Sequence, residues 1–199
     1  MSEAPKRKKS WKRETLEWII PLGLIAALYL TGTQAEVLGL LQRLMLSTGL
    51  LNAKTQMEYH GQADFNWHLI DAQENQLSLA QFKGKTIFIN LWATWCPPCV
   101  AEMPSIQKLY ETQGQEVEFI LLSRDEDFAK ALAFTQSKGY TFPVYTSASA
   151  TPPVFQAQAI PTTFVIDPNG QIIYRHSGMA QYDGASFKEL LNKAATIQP

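Results

Sequence analysis

The sequence predicts an α/β domain built on a mixed central sheet and preceded by an N-terminal membrane helix. Apolar runs of strand length alternate with helical stretches from about Phe65 onward, which is typical of helices packed against a sheet. The Pro168-Asn169-Gly170 turn joins the last two predicted strands as a hairpin, so part of the sheet is expected to be antiparallel. Upstream, residues 18–33 form an apolar stretch without a charged side chain.

The predicted elements follow one another along residues 65–195. Strands are expected over 67–72, 86–91, 117–123, 162–167 and 171–176, and helices over 97–113, 127–138 and 186–195. Residues 77–84 are expected to form a short turn or helix. The run over 86–91 is almost continuously apolar, which indicates a strand buried on both faces. Pro104 removes one helical hydrogen bond and is expected to break or bend the first helix. A proline inside a helix destabilises it by about 3 kcal/mol.

The N-terminal part of the chain divides into a basic head, an apolar helix and a linker. Residues 1–17 hold six of the 17 Lys and Arg residues, within a net charge of −1 that gives no reason to expect nucleic acid as a partner. Residues 18–33 reach about 24 Å as a helix, short of a hydrocarbon core of about 30 Å. They predict a transmembrane anchor or a cleaved signal sequence, with a soluble core helix as the third alternative. In the first two cases the basic head is cytoplasmic and the domain over 65–199 is exported.

Residues 34–64 are predicted to connect the anchor to the domain. Leucines recur at mixed helical spacings over 35–51, which indicates an amphipathic helix that lies on the membrane, continues the anchor or packs on the domain. Residues 52–64 are polar without a clear period and are predicted to be a linker.

The chain has two cysteines, Cys96 and Cys99, separated by two prolines. A structural bridge across so short a loop stabilises little in the chain-entropy model. Half of a zinc site is a second alternative, but no other cysteine pair exists and the three histidines lie far away in sequence. A redox-active cysteine pair is the better interpretation, because the two cysteines stand where an apolar strand ends and a helix begins.

The start of a helix favours negative charge, so the thiolate form of Cys96 is expected to be stabilised there. Pro97 suits the first helical turn, where its missing N–H is not needed. Pro98 removes a further donor. Cys99 lies almost one turn inside the helix and is expected to be more buried. We therefore predict that Cys96 attacks a disulfide and that Cys99 resolves the mixed disulfide.

Three motifs together resemble the thioredoxin superfamily, and most of all its membrane-anchored TlpA/ResA-type reductases. They are Trp92-Ala93-Thr94-Trp95-Cys96-Pro97-Pro98-Cys99, Glu102-Met103-Pro104 and Ile160-Pro161-Thr162-Thr163. The resemblance covers about residues 65–195 and implies a thioredoxin-like fold. It also implies a cis peptide bond before Pro161, and a backbone at Ile160 that binds an extended substrate.

One residue departs from thioredoxin itself, and Glu102 offers a replacement for it. Asn90 stands where thioredoxin has a buried aspartate, and an amide cannot exchange protons. TlpA/ResA-type proteins carry a glutamate at the place of Glu102, which is expected to share a helix face with Cys99 and to take its proton if burial raises the carboxyl pKa. The alternative is a solvated carboxylate. Trp95 is expected to touch the substrate, whereas Trp92 is expected to pack in the core.

The resemblance implies a reductase of disulfides in exported proteins, such as cytochrome c precursors or other envelope cysteines. It would sit in the bacterial inner membrane with a periplasmic domain and be recharged by a membrane-embedded electron donor. No metal or cofactor beyond the Cys96–Cys99 disulfide is expected. The alternative function is a membrane-tethered copper chaperone, in which His176 would join the cysteine pair as a third ligand. The direction of electron flow is left open by the residues, because a stabilised Cys96 thiolate favours an oxidant while the resemblance favours a reductase.

Overall fold

The structure is a computed structural model that describes residues 17, 19–23, 30, 53 and 56–197. The described residues of the N-terminal segment are helical. Most of the predicted anchor over 18–33 and the whole predicted helix over 35–51 lie outside the described residues. Within the part that is described, no helix is both long and apolar enough to cross a membrane.

A seven-stranded mixed sheet forms the centre of the domain. Its strands are β1 (His68–Ile70), β2 (Gln76–Ser78), β3 (Thr86–Trp92), β4 (Val117–Ser123), β5 (Val144–Ser147), β6 (Thr162–Ile166) and β7 (Ile172–Ser177). Their order across the sheet is β2-β1-β5-β4-β3-β6-β7. The pairs β3–β4 and β4–β5 are parallel, and every other neighbouring pair is antiparallel. This arrangement confirms the mixed α/β fold that the sequence predicts.

The two central strands are buried along nearly their whole length. All seven residues of β3 are buried, and β4 departs from full burial only at Glu118. Most of their residues are Ile, Leu, Phe or Val, side chains that suit a strand covered on both faces. Alternate residues of β3 belong to two separate hydrophobic clusters, with Phe88 and Trp92 in one and Ile87, Ile89 and Leu91 in the other.

Three helices complete the domain: α1 (Pro97–Gln113), α2 (Phe128–Ser137) and α3 (Ala185–Ala195). Each helix contributes buried side chains to the cluster that contains Phe88 and Trp92, among them Met103, Ala131 and Phe187. The other cluster is covered by Trp67 together with two short 3-10 turns, Leu79–Phe82 and Pro153–Phe155. Helix α1 has the bounds that the sequence predicts, but it continues through Pro104, where a break was expected.

Several elements differ from the sequence prediction. Strand β1 is shorter than the predicted 67–72, β2 ends inside the stretch over 77–84 that was expected to be a turn or helix, and β5 was not predicted. Residues 58–63, which belong to the predicted linker, run antiparallel to β7 and the hairpin turn. The backbone N–H groups of Glu58 and His60 donate to the carbonyls of Ile173 and Ile172, each at 2.8 Å. These segments are short or irregular. Their conformation depends on pairing with distant parts of the chain, which no local sequence pattern encodes.

The turn between β6 and β7 brings Gly170 against residues 62–65. Gly170 has a φ of +80°, and a Cβ there would lie 2.7 Å from Gln62 Nε2 and 2.8 Å from Phe65 Cε2. Gly84 has nearly the same φ, +81°, with no atom within 4 Å of such a Cβ. The two glycines therefore separate the cost of backbone conformation from the cost of contact.

We expect Gly84→Ala to lower the free energy of unfolding by about 1 kcal/mol, because alanine rarely adopts a positive φ. Gly170→Ala should lower the free energy of unfolding by about 2 kcal/mol or more, because the new Cβ would also collide with Gln62 and Phe65. Urea unfolding followed by tryptophan fluorescence measures both values. Equal losses in the two variants would mean that residues 62–65 do not pack against the turn as described.

Candidate active site

The cysteine pair lies at the junction of β3 and α1, and it forms a disulfide. The Cα atoms of Cys96 and Cys99 are 5.3 Å apart. Cys96 is the N-cap residue of α1, and its exposed fraction is 4%, whereas Cys99 is fully buried. What little of the pair is exposed therefore belongs to Cys96, which makes it the outer of the two cysteines.

The helix start offers few hydrogen-bond donors to the sulfur of Cys96. Pro97 and Pro98 occupy the first two helical positions, and neither has a backbone N–H. The N–H of Cys99 lies 3.3 Å from Cys96 Sγ and points to it. The positive end of the helix is thus present, but one amide supplies the direct contact.

The loop before β6 lies beside the same sulfur. The Ile160–Pro161 peptide bond is cis, the isomer that the resemblance implies. The carbonyl oxygen of Ile160 is 3.7 Å from Cys96 Sγ, and Pro161 is buried. Trp95 is 62% exposed next to this pair, whereas Trp92 is fully buried and packs on Phe134 with ring centroids 5.8 Å apart.

Glu102 lies on α1, three residues after Cys99, and its side chain is completely buried. Asn90 on β3 donates its side-chain amide to Glu102 Oε1 at 2.8 Å, and the Ala180 N–H donates to Oε2 at 3.2 Å. Burial raises the pKa of Glu102 to about 8, although the two hydrogen bonds act in the opposite direction. The carboxyl group can therefore gain or lose a proton near neutral pH.

The hydrogen bonds continue from Glu102 into a buried network. The Asn90 amide also donates to Thr163 Oγ1 at 2.9 Å, and the hydroxyl of Tyr182 donates to the same oxygen at 2.8 Å. Burial, followed by the nearby Glu102 charge, raises the pKa of Tyr182 well above its ordinary value. Tyr182 therefore stays protonated and serves as a donor. The network fixes which side of the Asn90 amide faces Glu102.

A second buried carboxylate holds the loop that leads into Cys96. Asp125, just after β4, accepts from the Thr94 N–H at 3.1 Å and from the Thr94 hydroxyl at 2.6 Å. The Ser123 hydroxyl donates to Asp125 Oδ2 at 2.8 Å. Sequence reasoning missed this residue. Its only signal is a serine and an aspartate, two positions apart, at the end of a buried strand.

The site residues predicted from the sequence come together, and His176, the third ligand of the copper alternative, pairs with Thr163 across β6 and β7. The disulfide, the cis loop with Ile160 and Pro161, Trp95 and Glu102 surround the start of α1. His176 lies on β7, with its ring 6.4 Å from that of Tyr174. Among the described residues, no three His, Cys, Asp or Glu side chains lie close enough together to hold a metal ion. The copper-chaperone alternative therefore gains no support from this arrangement.

Comparison with known proteins agrees with this geometry. The Redoxin family model matches residues 60–191. The thiol-disulfide oxidoreductase ResA of Halalkalibacterium halodurans is 32% identical over 138 residues, which cover 68% of this chain and 78% of that protein. The protein of the same name from Bacillus cereus is 32% identical over 135 residues, which cover 67% and 78%.

Solved structures share the fold. A thiol:disulfide interchange protein of the thioredoxin family from Chlorobium tepidum has a TM-score of 0.53 and 24% identity, and the match covers 72% of this chain and 99% of that one. A DsbF homologue from Corynebacterium diphtheriae has a TM-score of 0.56 and 22% identity, over 70% and 93% of the two chains. Together with the family match, the thioredoxin-like sheet and the cysteine pair at the helix start, these relatives identify the chain as a member of the Redoxin family and a TlpA/ResA-type thiol-disulfide oxidoreductase of the thioredoxin superfamily.

Proposed function

We propose that this chain is a reductase that transfers two electrons from the Cys96–Cys99 dithiol to disulfides of exported proteins. The observation that carries the proposal is the position of Cys96, which is the outer cysteine and lies against the Ile160 carbonyl. Trp95 and the Ile160–Pro161 loop border this sulfur, so an extended substrate chain that pairs with the Ile160 backbone would bring its own disulfide to Cys96.

The reaction balances as two thiol–disulfide exchanges. In the first, the Cys96 thiolate attacks one sulfur of the substrate disulfide, and the other substrate sulfur leaves as a thiolate. In the second, the Cys99 thiolate attacks Cys96 Sγ, the Cys96–Cys99 disulfide forms, and the second substrate sulfur leaves. The substrate gains two electrons and two protons, and the pair loses them. A membrane-embedded dithiol donor would then reduce the Cys96–Cys99 disulfide by the reverse steps.

Glu102 is the proposed proton acceptor for Cys99. Cys99 is fully buried, so water cannot readily take its proton. Burial raises the pKa of Glu102 to about 8, so the carboxyl matches a thiol, with its ordinary value of about 8.5, far better than a solvated carboxyl does, and it can accept the proton at a smaller free-energy cost. The same match lets the protonated carboxyl return a proton to Cys99 when the disulfide is reduced again.

The proposed location is the outer face of a bacterial inner membrane, with the N-terminal segment as the tether. The basic head over residues 1–17 and the uncharged stretch over 18–33 support this orientation. The described side chains of the stretch are also open to solvent, since Ile19, Ile20, Leu22 and Leu30 are between 62% and 89% exposed. Large apolar side chains left uncovered on a helix favour a membrane or a partner as their surroundings.

The reduction potential tests the direction of electron flow. We expect a value near −270 mV, as for thioredoxin, whereas a value near −120 mV would identify an oxidant and contradict the proposal. The measurement is equilibration with glutathione or dithiothreitol buffers, read out by thiol alkylation. The fragment should begin before Ala53, which is buried and donates its N–H to the Gln181 carbonyl at 3.1 Å.

The cysteine roles and the location can be tested in one trapping experiment. In cells that express Cys99→Ser, mixed disulfides with Cys96 should accumulate, because no second thiol is available to release them. The complexes should fractionate with the membrane and be digested by protease added to spheroplasts. Cys96→Ser serves as the control and should yield neither complexes nor turnover. Complexes in the cytoplasmic fraction would contradict the location, and complexes with Cys96→Ser would contradict the role assignment.

Replacement of Glu102 should change the pH dependence of substrate reduction. In the wild type, the rate should rise as pH increases through about 8, because the ionised carboxyl accepts the proton. Glu102→Gln should slow the resolving step by about 100-fold near pH 8 and should remove this component of the pH profile. Stopped-flow reduction of a model disulfide measures both. Glu116→Gln, at an exposed carboxylate, is the matched control and should retain the wild-type profile.

A further inference from the structure

A groove of about 390 Å³ lies next to the cysteine pair, at the carboxyl ends of β3 and β4. It has both apolar and polar walls. The lining includes Leu91, Arg124, Thr151, Phe155, Gln156 and Ile160. In sheets with parallel strands, this edge is where ligands commonly bind.

Ile160 makes the groove continuous with the active site. Its carbonyl oxygen lies 3.7 Å from Cys96 Sγ, while the residue also lines the groove. Ile160 packs against both hydrophobic clusters, so it stands between the side that holds the cysteines and the side that holds the groove. A chain bound at the Ile160 backbone therefore runs past the groove mouth.

Arg124 gives the groove a positive rim. The side chain is exposed, and one guanidinium N–H donates to Thr151 Oγ1 at 2.9 Å. Of the five N–H donors of a guanidinium, this bond uses one, so donors remain for a second partner. No acidic residue lines the groove, and none of the ion pairs found among the described residues involves Arg124.

Backbone contacts hold the groove wall in place. The Arg124 N–H donates to the Trp92 carbonyl at 2.8 Å, which ties the arginine to the end of β3. On the other side, the Arg175 guanidinium donates to the Gln156 carbonyl at 2.9 Å and lies over the Phe164 ring. The backbone of Arg124, from which the rim charge extends, is thus tied to the sheet.

We propose that this groove binds the substrate polypeptide next to its reactive cysteine, and that Arg124 selects an acidic side chain there. An extended chain advances about 3.3 Å per residue, so a residue within about three positions of the reactive cysteine reaches the groove. A carboxylate matches the planar guanidinium donors. The inference rests on the proposed exchange with protein disulfides and adds the substrate class to it.

The test uses three synthetic peptides with the same internal disulfide, flanked on both sides by Glu, Gln or Lys. The reduced full-length protein in detergent is mixed with each peptide, and kcat/KM is measured at low and high salt. The wild type should prefer the Glu peptide to the Lys peptide by about two- to fivefold, the range of an ion pair at a solvated surface. The preference should shrink as salt rises.

The variants separate charge from shape. Arg124→Gln should bring the ratio of kcat/KM for the Glu peptide to that for the Lys peptide down to about one. Arg124→Glu should make the Lys peptide the preferred one, and Arg124→Lys should still prefer the Glu peptide. The ratio within one variant cancels any general loss of reactivity. Lys130→Gln, at an exposed lysine on α2 that does not line the groove, removes the same charge and should leave the ratio unchanged.

The possible outcomes distinguish this inference from the function on which it rests. If every peptide is reduced with equal kcat/KM, or if Lys130→Gln alters the ratio as much as Arg124→Gln, the groove does not select acidic chains while the reductase proposal stands. If the reduced protein transfers electrons to none of the peptides, both proposals are overturned.

Discussion

The site depends on how β3 pairs with its two neighbours. Strand β3 is parallel to β4 and antiparallel to β6, and its register sets Leu91 opposite Thr162. Because of the antiparallel pairing, the carboxyl end of β3, from which the cysteine loop emerges, meets the amino end of β6, which the cis loop precedes. Residues more than sixty positions apart in sequence, Cys96 and Ile160, are thereby brought into contact. A shift of this register by one residue would also turn Asn90 away from Thr163 and Glu102.

The parts of the fold that the sequence predicts are those with a strong local pattern. Strands β3 and β4 are continuous apolar runs, α1 starts at two prolines, and the β6–β7 hairpin has a Pro-Asn-Gly turn. The missed strand β5 has four residues, of which only Val144 is buried, so neither length nor alternation marks it. Residues 58–63 lack a period for a different reason. They contribute backbone N–H and carbonyl groups to β7, and any polar sequence can do so.

The candidate site was predictable where the chemistry lies within one motif. The Cys-Pro-Pro-Cys spacing indicates the redox pair, and the distance of three residues on a helix places Glu102 near Cys99. Its hydrogen-bond partners could not be predicted in this way, since Asn90 comes from β3 and the Ala180 N–H from the loop before α3. Asp125 is a similar case. Asp125 holds the loop that carries Thr94 only because β4 ends beside that loop. The sequence alone does not specify that the two are adjacent.

The electrostatics around Cys96 favour its thiolate less than its place at a helix start suggests. The helix end stabilises a thiolate, which on its own would stabilise the dithiol form and make the pair an oxidant. Three features oppose this. Pro97 and Pro98 remove two N–H donors, the Cys96 side chain is nearly buried and loses hydration, and the Ile160 carbonyl directs negative partial charge at the sulfur from 3.7 Å. Each feature disfavours the anion. The thiolate is therefore less stabilised than the helix end alone would imply, and a dithiol whose anionic form is less stabilised gives up its electrons more readily. The Ile160 carbonyl, on the loop proposed to bind substrate, is thus one of the three features that disfavour the Cys96 anion.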